Sequence, residues 1–142
     1  MSYRYLAFIF VLSGNIVLAH EQTGSLGKSA SATDLYQIQC FDNGDGTGNT
    51  ARLVTQIIDS PPKVAAKLSV QTVKAAKATN TTDAIDGDAL GSPFASNYGG
   101  DGYYYVIVNK DGAGVESYTL DFHCQSSSGE HTGTEISSLQ NQ

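Results

Sequence analysis

The chain has no tryptophan, two cysteines, three prolines and one methionine in 142 residues. Its basic residues number eight against fourteen acidic ones. Each scarcity excludes something. An acidic balance argues against nucleic acid and anionic lipid headgroups as partners. Two cysteines without a C-x-x-C spacing make neither a redox dithiol nor a cysteine-rich zinc site. No G-x-S-x-G elbow and no H-E-x-x-H pair occurs, so the common serine-hydrolase and zincin arrangements are missing. After residue 19 there is no apolar run long enough to cross a membrane.

The first nineteen residues, MSYRYLAFIFVLSGNIVLA, contain the one long apolar run. Arg4 gives a basic start, "YLAFIFVL" an apolar centre, and Val17-Leu18-Ala19 a small-residue cleavage pattern. This reads as a secretory signal peptide cut after Ala19, leaving 123 residues and a periplasmic or secreted protein of Gram-negative type. Arg4 is its only charged residue, so the mature chain carries seven basic and fourteen acidic residues, a net charge of −7. No nucleic acid and no membrane partner is expected of it. In an oxidising compartment Cys40 and Cys124 are expected to form one disulfide.

Residues 20–33 are rich in Gly, Ser and Ala and predict an extended lead-in. From Asp34 the pattern changes. "DLYQIQCF" (34–41) alternates, with Tyr36, Ile38 and Cys40 on one face and Gln37 and Gln39 on the other. "DNGDGTGN" (42–49) is a loop. "ARLVTQII" (51–58) is β-branched and is stopped by Pro61-Pro62. "VAAKLSVQTV" (64–73) allows a helix, but its period of two sets Val64, Ala66, Leu68, Val70 and Thr72 on one face. A weak strand is expected near 77–84 within an otherwise irregular stretch. Strands over 103–109 and 116–124 flank the Gly-containing "KDGAG", which predicts a hairpin. Residues 126–142 read as a flexible tail. The fold class is all-β: an antiparallel β-sandwich of about seven strands, residues 34–125, with one disulfide. Both cysteines lie in phase with apolar faces, so their strands are adjacent in one sheet or face each other across the core.

"GYYYVIVNKDGAGVESYTLDF" resembles the closing hairpin of bacterial pre-peptidase C-terminal domains, and "DLYQIQC" is similar, more loosely, to their opening strand. The family's acidic D-x-D-L-Y pattern is missing, although Asp83, Asp86 and Asp88 lie nearby. The resemblance implies a jelly-roll-like β-sandwich and a protein- or carbohydrate-interaction module; it implies no activity.

The sharpest chemical feature is the residue that cleavage would expose. An N-terminal histidine offers its α-amine and its imidazole Nδ1 to one metal ion, a chelate no internal residue can form. Only three histidines occur: His20, His123 and His131. Nitrogen ligands in this arrangement suit Cu(II), with Zn(II) second. His123 shares a strand face with Asp121, which would orient its ring. The lead-in, extended at about 3.3 Å per residue, can reach any part of so small a domain. The expectation is therefore an exported, non-enzymatic module binding Cu(II) through His20, His123 and His131, with no catalytic residue assigned. Sites of this type resemble those of copper-handling periplasmic proteins and polysaccharide monooxygenases, so a small copper-dependent oxidative enzyme is one alternative. An interaction module without metal is the other. Calcium is a lesser expectation, at Asp42, Asn43 and Asp45 or at the Asp83, Asp86 and Asp88 trio. The run Tyr103-Tyr104-Tyr105 either covers the core or presents a stacking face.

Overall fold

The computed structural model describes residues 20–63 and 66–142, all in strands, turns and loops. The strands are β1 (His20–Leu26), β2 (Thr33–Phe41), β3 (Arg52–Ser60), β4 (Leu68–Lys74), β5 (Lys77–Thr82), β6 (Ala95–Asn97), β7 (Gly102–Lys110), β8 (Glu116–Gln125) and β9 (Gly133–Gln140). They form two antiparallel sheets, one in the order β1-β8-β3-β6 and the other β5-β4-β7-β2-β9. The two sheets bury their inner faces against each other.

Alternation decides which residues fill the core. In β2 Tyr36, Ile38 and Cys40 are buried; in β4 Leu68, Val70 and Thr72; in β7 Tyr104, Val106 and Val108; in β8 Tyr118, Leu120, Phe122 and Cys124. Ala66 is buried in phase with β4, whereas Val64, expected on the same face, lies outside the described residues. Cys40 and Cys124 form the disulfide, with Cα atoms 5.6 Å apart. β2 and β8 belong to different sheets, so of the two arrangements expected for the cysteine strands the bond takes the one that crosses the core. The disulfide fits an oxidising compartment, and no helix among the described residues is long and apolar enough to cross a membrane.

Three expectations need correction. First, the strands around "KDGAG" are not a hairpin. β7 pairs with β2 and β4, whereas β8 pairs with β1 and β3, so residues 111–115 pass from one sheet to the other. Both strands turn their apolar face to the same core, which is satisfied equally by facing sheets. The connection is tied down elsewhere: Asp111 N–H donates to the Lys67 carbonyl and Gly114 N–H to the Lys28 carbonyl. Second, residues 126–142 are not a flexible tail. They turn back and supply β9, which runs along β2. Third, residues 20–26 of the lead-in are a full strand at the edge of the first sheet. β1, β9 and the three-residue β6 are not marked in the sequence, and the described residues form nine strands where about seven are expected. β5 falls where the weak strand was expected.

Candidate metal centre

β1 begins with His20, the first described residue. Its pairing with β8 runs His20↔Phe122, Gln22↔Leu120, Gly24↔Tyr118 and Leu26↔Glu116. Seven residues of antiparallel pairing thus fix the expected mature terminus at one edge of the sheet, with the His20 ring 5.8 Å from that of Phe122. Gly24 is required by this packing. A Cβ at that position would sit 2.3 Å from Tyr118 Cζ.

His123 and His131 come together through a local turn. Gln125 and His123 share the outer face of β8, two residues apart. Residues 126–130 reverse the chain: Ser126 N–H donates to Glu130 O at 2.8 Å, and Gly129 takes a φ of 88°. His131 then bridges to Gln125, and Thr132 N–H donates to Cys124 O at 2.9 Å. Opposed residues of an antiparallel bridge share a face, so His131 lies beside His123, their ring centroids 4.6 Å apart. His20 completes the group, 6.4 Å from His123 and 6.5 Å from His131.

A ligand-capable nitrogen from each of the three imidazoles lies within 4.8 Å of the other two. His20 Nδ1 and His123 Nδ1 are both buried and have no hydrogen-bond partner among the described residues. Nδ1 is the atom an N-terminal histidine pairs with its α-amine in a chelate. Asp121 Oδ1 lies 2.6 Å from His123 Nε2, so the carboxylate holds the far side of that ring and leaves Nδ1 to face its neighbours. Although it points away from the sandwich core, His123 is only 9% exposed. Burial, and after it the charge of His123, pushes the His20 imidazole below its ordinary range; His131 is lowered by burial and by both other rings. Rings held neutral at neutral pH are the form that ligates a metal. Three imidazole nitrogens make a nitrogen donor set of the kind that Cu(II) and Zn(II) take.

A shallow groove of about 460 Å³ runs beside the pair His123 and His131, bounded by Arg52, Val54, Phe94, Ser96 and Gln125. The Arg52 guanidinium donates to Gln125 Oε1 at 2.9 and 3.1 Å and to the Tyr98 hydroxyl at 3.0 Å. None of these groove residues stands out in the sequence: Phe94 comes from an irregular connection and Arg52 from a strand end, where no periodicity marks them.

The other expected ligands are placed differently. Asp42, Asn43 and Asp45 lie in an exposed loop, and each side chain accepts the N–H two residues on, from Gly44, Asp45 and Thr47. Their oxygens shape their own turns. The trio Asp83, Asp86 and Asp88 does not gather as a set. Asp83 accepts from the N–H groups of Asp59 and Ile85, Asp88 from Leu90, and Asp86 approaches Asp59 and Glu116 instead. In the tyrosine run Tyr104 is buried in the core, whereas Tyr103 and Tyr105 are 54% and 47% exposed. Compared with protein-family models, with curated proteins and with solved structures, the chain matches none of them.

Proposed function

We propose that the mature protein is an exported, non-enzymatic β-sandwich module, periplasmic or secreted, that binds one Cu(II) ion. His20 would hold it through its α-amine and Nδ1, with His123 and His131 as the remaining nitrogen ligands and Asp121 orienting His123. The observation that carries this reading is the convergence of all three histidines of the chain, brought from a strand end, a strand face and a turn, with two Nδ1 atoms buried and unpartnered. Buried polar nitrogens are rarely left without a partner, and one bound ion would satisfy both.

The test uses the processed protein beginning at His20. Titration followed by calorimetry and by electron paramagnetic resonance should give one Cu(II) per chain in a nitrogen-rich tetragonal environment. One additional residue before His20 removes the chelate and should abolish the high-affinity phase, as should His123→Ala. Asp121→Asn should weaken binding by about 10- to 100-fold. Equal affinity with a blocked terminus would overturn the reading. So would isolation of the natural protein trimmed at a different residue.

A second reading is favoured by Tyr103 and Tyr105, which stand exposed on the outer face of the five-stranded sheet, paired across β2 with Gln39 and Gln37. Aromatic rings beside amides suit a glycan or a protein partner. Such a module would bind with chelator present and would lose binding on Tyr103→Ala and Tyr105→Ala. A copper-dependent oxidative enzyme would in addition consume oxygen with a reductant and a polysaccharide.

A further inference from the structure

The far end of β8 from His123 carries a second cluster of a different chemical kind. Glu116 opens β8, Asp59 sits one residue from the end of β3, and Asp86 comes from the connection between β5 and β6. One carboxylate oxygen from each lies within 4.8 Å of the other two. Asp59 and Glu116 are both 0% exposed. Both oxygens of Asp59, both of Glu116 and Oδ1 of Asp86 are buried without a hydrogen-bond partner among the described residues. Five such oxygens in one place differ from an ordinary acidic patch, whose carboxylates face water.

Buried carboxylates need a cation, a donor or a proton. Asp83, next to the cluster, is acidic too, and its Oδ2 is already engaged by the Asp59 N–H at 2.9 Å. Lys110 is the buried cation nearby. Its Nζ donates to the carbonyls of Gly27 and Gly114, and its charge is felt by Glu116 without contacting it. Burial, then the charges of Glu116, Asp86 and Asp83, push the Asp59 carboxyl up to about 7. Burial raises Glu116 as well, with Asp86 adding to the effect. Once ionised, the three carboxylates carry more charge than Lys110 offsets.

We propose that Asp59, Asp86 and Glu116 form a calcium site that ties the connection between β5 and β6 to the adjoining ends of β3 and β8. The donors are all oxygen, which selects a hard cation over copper or zinc. Magnesium loses its water reluctantly and demands strict octahedral geometry, so full burial of two of the three carboxylates favours calcium. A divalent cation would supply the missing positive charge and hold the three carboxylates in their ionised form. This site is independent of the copper reading and shares no residue with it.

The experiment is thermal unfolding and calorimetric titration of the processed protein at neutral pH, in EGTA and with calcium or magnesium added. Calcium should bind once per chain, with Kd of about 10⁻³ M or tighter. At roughly a hundred times Kd it should raise Tm by about 8 °C, and magnesium should do much less. Asp86→Asn, the least buried of the three changes, should weaken calcium binding at least tenfold. Asp59→Asn and Glu116→Gln should raise Tm in EGTA, by removing unpaired buried charge, and lose the response to calcium. A wild-type Tm indifferent to calcium up to about 10⁻² M overturns the proposal. So does a calcium response that survives all three substitutions, or one that magnesium reproduces in full.

Discussion

Tyr118 joins the two sheets through its hydroxyl. From β8 it donates to Asp34 Oδ2 at 2.5 Å and shares a 2.7 Å hydrogen bond with the Tyr36 hydroxyl, both on β2. Asp34 is fully buried, and its other oxygen accepts from the Gln142 N–H at 2.8 Å, so this network also anchors the chain end after β9. Tyr118→Phe removes the donor to a buried carboxylate and should cost about 2–3 kcal/mol, read from urea unfolding at neutral pH. A cost below about 0.5 kcal/mol would mean that Asp34 finds another partner. The same burial governs alkaline behaviour. Tyr104 is pushed up to about 12 by burial, and Tyr36 and Tyr118 are also raised, by burial first. A phenol raised in the folded state contributes stability that is intact below its unfolded value of about 10 and is lost as pH climbs through the folded value. Absorbance titration should therefore show these three tyrosines ionising together with unfolding, between about pH 10 and 12. Their ionisation in a folded protein near pH 10 would contradict the burial.

At the scale of strands, legibility followed the apolar alternation. β2, β3, β4, β7 and β8 are apolar or alternate in polarity, and each was visible as a strand. The inner face was legible in β2, β4 and β8, whereas the run Tyr103-Tyr104-Tyr105 left that of β7 open and nothing in the 51–58 stretch assigned that of β3. β1 and β9 were not visible. "HEQTGSL" and "GTEISSLQ" have few apolar residues between them because they are edge strands that pair mainly through backbone and keep small or polar side chains. The false hairpin has a similar origin: periodicity shows which face is buried but not which sheet a strand joins. β1 matters most for the metal centre, because it alone carries His20. Its approach to β8 depends on Gly24, over which the Tyr118 ring lies. Gly24→Ala should cost about 1–3 kcal/mol and push the edge strand away from β8. Its copper affinity should fall with it, whereas Thr23→Ala, on the exposed side of the same strand, should leave both unchanged. Equal copper affinity in the two variants would show that the pairing of β1 does not position His20.

Over the whole molecule, the sequence exposed the members of the histidine group but not their meeting. His123 and His131 were close in the chain, yet their approach depends on the turn over 126–130, and His20 arrives from more than a hundred residues away. The carboxylate cluster was less legible still: Asp59 and Glu116 look like strand ends, and only pairing of β3 with β8 brings them together. β8 spans both places. From Glu116 to His123 is seven residues, roughly 23 Å at 3.3 Å per residue. The two proposed cation sites, at that distance and beyond the screening length of about 8 Å at physiological ionic strength, should act almost independently. Their ligand sets are also chemically opposed, nitrogen at one end and oxygen at the other. Saturating calcium should therefore change the Cu(II) affinity by less than about twofold, and copper should leave the calcium-induced rise in Tm intact. Competition between the two ions in a double titration would mean that one cluster takes both, and the assignment of separate nitrogen and oxygen sites along β8 would fall.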